Sequence, residues 1–156
     1  MALDYLPILA ERAAPNRPRK LRRAKKVAWH PLSRPLSEMR VSLITSAAIR
    51  EPGQRPFPHL GDTSHRRISS DPAEGELCID HRSPVGADAR KDLEIVFPRR
   101  ALQTLALKGL VGSVARDHFS IYGGGSDHEA IEGQLAPALA RLLVRAHVDL
   151  AVMIPY

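Results

Sequence analysis

The sequence has little cysteine and few aromatic residues. Cys78 is the single cysteine among 156 residues, which excludes a disulfide within the chain and favours a reducing, cytoplasmic setting. Aromatic residues make up 4% of the chain, so the core must be built mainly from Leu, Val, Ile and Ala. No apolar run reaches the roughly 18 residues of a membrane span. Asp4 and Pro7 interrupt the apolar stretch at the N-terminus, so a signal peptide is not predicted.

Positive charge is concentrated in one short segment. The net charge is +6, and seven of the ten residues from Arg17 to Lys26 are basic, so the rest of the chain carries −1. Such a segment can bind nucleic-acid phosphates through counterion release. However, no aromatic residues are interleaved with the basic ones to stack on bases, and prolines surround them. We therefore interpret residues 1–39 as a solvated proline- and arginine-rich arm, and nucleic-acid binding is the less favoured alternative.

Short apolar runs between turn-forming residues predict the strands of a second region, residues 40–156. Within it, residues 50–75 are rich in proline and glycine and are predicted to form a long loop. Strands are expected at Arg40–Ala48, at Leu77–Ile79, at the alternating residues Leu93, Ile95 and Phe97, and at Val148–Tyr156, and Leu110–Ala115 is expected to form a short strand or a turn.

Two helices are predicted between these strands. Pro98 suits the first turn of one helix, and Gly109 suits the position just after its end. Ser126 begins a capping-box sequence that opens the other helix, which Gly133 and Pro137 are expected to kink or split. Strands that alternate with helices indicate an α/β domain with a mostly parallel sheet and crossover helices, like half of a flavodoxin or Rossmann domain.

Several short sequence blocks from about Leu36 to Tyr156 resemble one family in the same order. The blocks are Ser42–Ala47, Arg55–Phe57 with Arg67–Ile68, Ile79–His81, Asp92–Pro98, Gly109–Ala115, His118–Ser120 and Val148–Pro155. They resemble the amino-terminal half of the selenoprotein B family, the substrate-specific subunits of glycine, sarcosine, betaine and D-proline reductases. Asp80, Glu94 and His147 depart from the pattern, since the family has Ser, Asn and Gly there.

The resemblance implies an oxidoreductase that acts on X–H and Y–H groups with a disulfide as acceptor. Its reaction is the reductive cleavage of a C–N bond in an amino acid or amine, with a dithiol as reductant. The family has selenocysteine or cysteine directly after its last matched block, so the nucleophile is expected just after Tyr156. We therefore expect an in-frame UGA codon there, and a chain that is truncated and inactive as written. The alternative is a non-catalytic binding or assembly module.

The same resemblance implies the partners. They are the other subunits of a reductase complex, a thioredoxin-like dithiol donor and a small amino-acid or amine substrate. No cofactor is expected in this chain; a pyruvoyl group on a partner subunit activates the substrate amine in the glycine and D-proline systems.

Two histidines near predicted strand ends are the candidate catalytic residues. His81 and His118 can exchange protons near neutral pH, and an imidazolium favours a neighbouring selenolate or thiolate. The alternative is that each histidine only bonds a loop backbone. Asp88, Asp92 and Ser120 are candidate substrate-binding residues, although Asp92 suits a turn cap equally well.

The two histidines also raise the question of a metal site. Together with Asp88 and Asp92 they offer nitrogen and oxygen ligands, but their spacing matches no compact ligand motif, and no metal is predicted. If the catalytic interpretation is right, Tyr156 must lie near the histidines, at the carboxyl edge of the sheet.

Overall fold

The computed structural model describes residues 30–58, 62–71, 77–81, 87–124 and 127–156. The chain divides between Leu32 and Ser33, and every element below belongs to the second part. Most of the predicted arm, including its basic segment, lies outside the described residues, so the arm stays a prediction. Within the described ranges, no helix combines the length and the apolar character needed to cross a bilayer.

The described residues form short strands and helices in alternation. The strands are β1 (Arg40–Thr45), β2 (Ile49–Arg50), β3 (His65–Ser69), β4 (Cys78–Ile79), β5 (Ser113–Val114), β6 (Asp117–Ile121) and β7 (Leu150–Ile154). The helices are α1 (Ala87–Lys91), α2 (Arg99–Leu107), α3 (His128–Ala130) and α4 (Ala136–Arg145), with short 3-10 helices at Leu36–Glu38 and Leu93–Ile95.

Strand β1 lies at the centre of a mostly parallel sheet. β7 runs parallel to it along one side, from Val41 opposite Leu150 to Thr45 opposite Ile154. On the other side, β5 pairs with the start of β1 and β6 with its end, both parallel. β3 joins β6 in the antiparallel sense, and β2 and β4 form a separate antiparallel pair. This confirms the predicted α/β class and the mostly parallel sheet.

Helices cover both faces of β1, which explains its nearly continuous apolar sequence. On one face, Val41 and Leu43 belong to a cluster that includes Phe97 and Leu102 of the α2 region. On the other, Ile44 packs with Phe119 and with residues of α4 and of the π turn that precedes it, Ile131–Leu135. Burial of each such side chain contributes roughly 1.5–3 kcal/mol, and these contacts fix the sheet between its helices.

The strand predicted from Leu93, Ile95 and Phe97 is wrong. Leu93–Ile95 forms a 3-10 helix, because the Asp92 carboxylate accepts the Glu94 N–H at 3.0 Å and turns the backbone. Glu94 then accepts the N–H groups of Arg100 and Ala101, at 3.0 and 3.2 Å, in the first turn of α2. The residue that replaces the family's Asn therefore caps a helix.

Three strands were not predicted from the sequence: β2, which follows the predicted strand Arg40–Ala48, and β3 and β6. β3 lies inside the segment predicted as a loop. β6 contains His118, which was expected to lie after the end of a strand. The N-cap of α3 also differs from the prediction. Asp127 accepts the Ala130 N–H at 2.9 Å, whereas the predicted cap Ser126 lies outside the described residues.

A π turn at Ile131–Leu135 separates α3 from α4. Pro137 lacks the N–H that would bond the carbonyl of Gly133, and in a regular α-helix its ring would press on that carbonyl. The wider turn relieves this clash, so the interruption falls where the sequence predicted it.

Both long helices end in the same backbone motif. After α2, Gly109 has a φ of +69°, its N–H bonds Ala106 O at 2.9 Å, and Leu110 N–H bonds Leu105 O at 3.0 Å. This is the Schellman arrangement. After α4, His147 has a φ of +52° and the equivalent bonds to Val144 and Leu143, each 3.0 Å. His147 therefore occupies a conformation that glycine adopts without strain.

Candidate functional site

The turn that follows β1 connects the ends of three strands. The parallel strands end at one edge of the sheet, and there Ser46 is hydrogen-bonded to residues at the ends of β6 and β7, the two neighbours of β1. The Ser46 N–H donates to Ile154 O at 3.1 Å, and Ser46 Oγ accepts the Tyr156 N–H at 2.8 Å. Ser46 O accepts the Gly123 N–H at 2.9 Å, and a Cβ on Gly123 would lie 2.9 Å from that oxygen. Only glycine allows this close approach.

Ala48 attaches the segment after β4 to the same edge. Its N–H donates to Ile121 O and its carbonyl accepts the Asp80 N–H, both at 3.0 Å. The residue needs a φ of +53° to make these bonds on opposite sides of the chain. Because this bond holds Asp80 in place, His81, which follows Asp80, lies at the carboxyl edge of β1, β6 and β7.

Three rings meet at this edge and form what we call the ring cluster: His81, Tyr122 and Tyr156. His81 stacks on Tyr122 with centroids 5.1 Å apart, and it meets Tyr156 edge-on at 4.9 Å. His81 is 9% exposed, and the Arg90 guanidinium donates to its carbonyl at 2.9 Å. Tyr156 thus lies beside one of the predicted histidines, at the predicted edge of the sheet.

Asp80 holds the segment before His81 in place. The Arg50 Nε donates to both Asp80 oxygens, at 3.1 and 3.0 Å, and the Phe57 N–H donates to Oδ2 at 2.8 Å. Asp80 stands where the resembled family has Ser. It gives this chain an ion pair across the β2–β4 pair and an anchor for the loop that carries Phe57.

His118 lies within the sheet. Val41 pairs with Val114 of β5, and Ile44 pairs with Phe119 of β6. Three steps along β1 therefore correspond to five steps along the neighbouring segment, which has two extra residues there. The His118 ring fills the gap in the ladder, because its Nδ1 accepts the Leu43 N–H at 3.1 Å. Ser42 Oγ lies 3.4 Å from the same nitrogen and donates to Asp117 O at 2.9 Å. The imidazole replaces a backbone carbonyl as acceptor.

The surroundings of His118 favour its neutral form. The side chain is fully buried, and desolvation with the nearby Arg99 charge lowers its pKa to about 4, although Asp117 opposes this shift. Because Nδ1 accepts a hydrogen bond, the proton of the neutral ring resides on Nε2. The catalytic role of His118 stays a prediction. Its hydrogen bond to Leu43 supports the sheet.

The three predicted substrate-binding residues lie in different surroundings. Ser120 is fully buried, and its Oγ accepts the Ile49 N–H at 2.6 Å. Asp92 is exposed and caps the 3-10 helix, as its alternative interpretation proposed. The Asp88 carboxylate is 79% exposed and lies 3.6 Å from Lys91 Nζ. Their roles in substrate binding stay predictions.

The four residues considered as metal ligands do not form a metal site. Within the described ranges, no group of three or more His, Cys, Asp or Glu side chains could share one metal ion. His81, Asp88, Asp92 and His118 all lie in those ranges.

The sequence analysis missed Tyr122, the ring that stacks on His81. The signal for it is weak: Tyr122 directly precedes the glycines Gly123 and Gly124, a pattern that places a side chain where a strand gives way to a turn. Without β6 as a predicted strand, that position could not be assigned to the edge of the sheet.

The fold and this site define an α/β protein with a mostly parallel sheet and a buried histidine between aromatic rings at its carboxyl edge. Among curated proteins, the chain is similar to D-proline reductase subunit gamma of Acetoanaerobium sticklandii, with 29% identity over 125 residues. The match covers 80% of this chain and 52% of that subunit, so the chain spans about half the length of the relative. No family model matches the chain, and no solved structure matches it significantly. The similarity supports a distant relationship to a reductase subunit.

Proposed function

We propose that the chain is part of a reductase-complex subunit that reductively cleaves a C–N bond in an amino acid. The observation that carries the proposal is the ring cluster at the carboxyl edge, where open α/β sheets bind their ligands. The similarity to a D-proline reductase subunit supports the same class of chemistry. The more specific selenoprotein B assignment is part of this proposal and rests on the sequence blocks.

His81 is the proposed catalytic residue. Its ring is held by Tyr122 on one face and meets Tyr156 on another, so its orientation is fixed. A selenocysteine or cysteine that followed Tyr156 would supply the nucleophile for the carbon that bears the amine. The position fits that chemistry, because the Tyr156 N–H is fixed to Ser46 Oγ and the Tyr156 ring touches His81. In this role His81 delivers a proton to the departing amine.

The proposed partners follow from the same assignment. A thioredoxin-like dithiol donor would return the oxidised nucleophile to its reduced form. A pyruvoyl group on another subunit would activate the substrate amine. The described residues of this chain would contribute the sheet edge on which those components meet.

The test is a turnover assay on a subunit that includes the segment with the proposed nucleophile, reconstituted with its partner subunits. We expect dithiothreitol-dependent release of the reduced product from D-proline or glycine. His81→Asn should lower kcat by at least about tenfold, since a positioned acid or base typically contributes 10²–10⁴. His128→Asn is the control, because His128 is exposed on α3.

Unchanged turnover in His81→Asn would remove that residue from the mechanism. If the complex cleaves no amino acid or amine with dithiol, the proposed function itself is wrong.

A second candidate function is a non-catalytic assembly module, and β7 favours it. Among the described residues β7 pairs only with β1, and Val152 and Met153 are 41% and 69% exposed. Exposed apolar residues on a parallel strand are typical of a surface that another protein covers. Stable co-elution with the partner subunits, together with no dithiol-dependent turnover, would favour this alternative.

A further inference from the structure

An apolar groove opens between α2 and β5, and we call it the α2 groove. Its volume is about 420 Å³, and it is lined by Gln103, Ala106 and Leu107 of α2 and by Val114 of β5. β5 pairs with the first two residues of β1, so the groove lies at the end of the sheet opposite the ring cluster. It is therefore separate from the candidate functional site.

The lining residues of α2 form one face of that helix. Gln103, Ala106 and Leu107 have the spacing i, i+3, i+4, which places them side by side. Leu107 has the most exposed side chain among the large hydrophobic residues described, at 90%. The Gln103 amide does not make the groove polar, because its Nε2 donates to Ser70 O at 2.9 Å. An exposed leucine is ordinary alone, but beside an apolar groove it indicates a contact surface.

Positive charge lies at both ends of the α2 groove. Residues 98–116 contain four basic residues and no acidic residue. Lys108 directly follows α2 at one end. Arg116 lies at the other end, because its carbonyl accepts the N–H of Ser70, the residue bonded to Gln103, at 2.8 Å. The two arginines that begin α2 interact with carboxylates, whereas Lys108 and Arg116 are exposed and form no ion pair with a described residue.

We propose that the α2 groove binds a short, acidic amphipathic helix of a partner protein. The apolar ridge of that helix would cover Leu107, and its carboxylates would lie beside Lys108 and Arg116. Apolar grooves commonly bind helices that present leucines at i, i+3, i+4 and i+7. A helix fits better than an added strand, because β5 has only two residues and offers too short an edge. The inference goes beyond the proposed function, since it requires no C–N cleavage.

The charges and the size of the groove argue against a second copy of this chain as the occupant. A twofold contact through the groove would bring Lys108 and Arg116 of the two copies towards each other, and like charges disfavour such pairing. A stable protein–protein interface buries about 800 Å² on each partner, which four lining residues cannot supply. A single helical segment needs much less area.

The experiment is a fluorescence anisotropy titration of the 156-residue chain against a labelled peptide. The peptide has about 18 residues, enough to form a helix in solution, with leucines at i, i+3, i+4 and i+7 and glutamates beside them. We expect saturable binding that weakens as salt is added. One control peptide has lysine in place of each glutamate, and another has the same composition with the leucines in scrambled order. Each should bind at least tenfold more weakly.

Variants of the chain locate the binding to the groove. Leu107→Ser should weaken binding of the acidic peptide at least about tenfold, and its exposed position leaves the fold intact. Lys108→Gln combined with Arg116→Gln should weaken binding several-fold and reduce its dependence on salt. Val144→Ser is the matched control, because Val144 is 72% exposed on α4, and it should leave the affinity unchanged.

Four outcomes would overturn the inference. The first is no saturable binding of the acidic peptide, and the second is equal binding of all three peptides, which would indicate a merely adhesive surface. The third is an unchanged affinity in Leu107→Ser. The fourth is a chain that sediments as a dimer which Leu107→Ser dissociates, since that result would assign the groove to a second copy.

Discussion

His118 shows how one side chain can replace backbone in a sheet. Its Nδ1 accepts the Leu43 N–H where two extra residues interrupt the neighbouring strand. His81 and His118 are equivalent in sequence terms, since each follows an apolar run. Their places in the sheet separate them. His81 reaches the sheet edge, whereas His118 is enclosed between β1 and its neighbours, which a local pattern cannot reveal.

The buried imidazole should make stability depend on pH. The folded-state pKa of His118 is about 4, below the ordinary value near 6.5 for an unfolded chain. Above about pH 6.5 both states are neutral and the full stability is present. As pH falls from 6.5 to 4, the unfolded state gains a proton first, so the free energy of unfolding drops by about 3 kcal/mol. Urea unfolding at a series of pH values measures this.

The matched variant is His118→Asn, whose Oδ1 can accept the Leu43 N–H but does not titrate. Its free energy of unfolding should depend less on pH between 4 and 6.5 than that of the parent chain. An equal dependence in both proteins would show that other groups cause the effect.

At the scale of elements, the ends of α2 and α4 provide a built-in comparison. Both adopt the Schellman arrangement, one with Gly109 and the other with His147 at the positive-φ position. The sequence analysis predicted the first correctly, because glycine is the usual signal. It noted the second as a departure, and the fold keeps the same backbone despite the side chain.

We expect His147→Gly to stabilise the protein by roughly 0.5–1 kcal/mol, because it removes the strain of a left-handed side-chain residue. Gly109→His should destabilise it by a similar amount. Thermal unfolding of the two variants checks both signs. Ala146→Gly is the control, since Ala146 has a φ of −84° and should lose stability.

The strands that sequence patterns missed are rich in polar residues. In β6, His118 and Ser120 are fully buried on either side of Phe119, and in β3 only Ile68 is buried. Apolar alternation cannot identify strands in which polar residues occupy the buried positions or most of the sequence. The same limit applies to the site: His81 was predicted from its place after a strand, but the position of Tyr122 depends on β6, which was not predicted.

At the scale of the whole molecule, Asp80 connects parts that are distant in sequence. It pairs with Arg50 of the small sheet, anchors Phe57 of the loop and directly precedes His81. The ion pair is largely shielded, with side chains 20% and 13% exposed. Removal of one member leaves the other charge poorly solvated.

Asp80→Ser, which introduces the residue that the resembled family has there, should therefore lower the free energy of unfolding by about 1–3 kcal/mol. Arg50→Gln should have a comparable effect. In the double variant the losses should be less than additive if the two side chains interact directly, as a double-mutant cycle by urea unfolding would measure. Strict additivity would argue against a functional pair.

The turn at Ser46 has a consequence for how such proteins diversify. It fixes this edge of the sheet through main-chain and hydroxyl bonds, whereas the loop of Arg55 and Phe57 is attached through Arg66 and Asp80. The edge of the sheet and the loop beside it are therefore held by different contacts. Exchange of residues 54–57 between homologues would therefore change the loop and leave the hydrogen bonds of Ser46 in place.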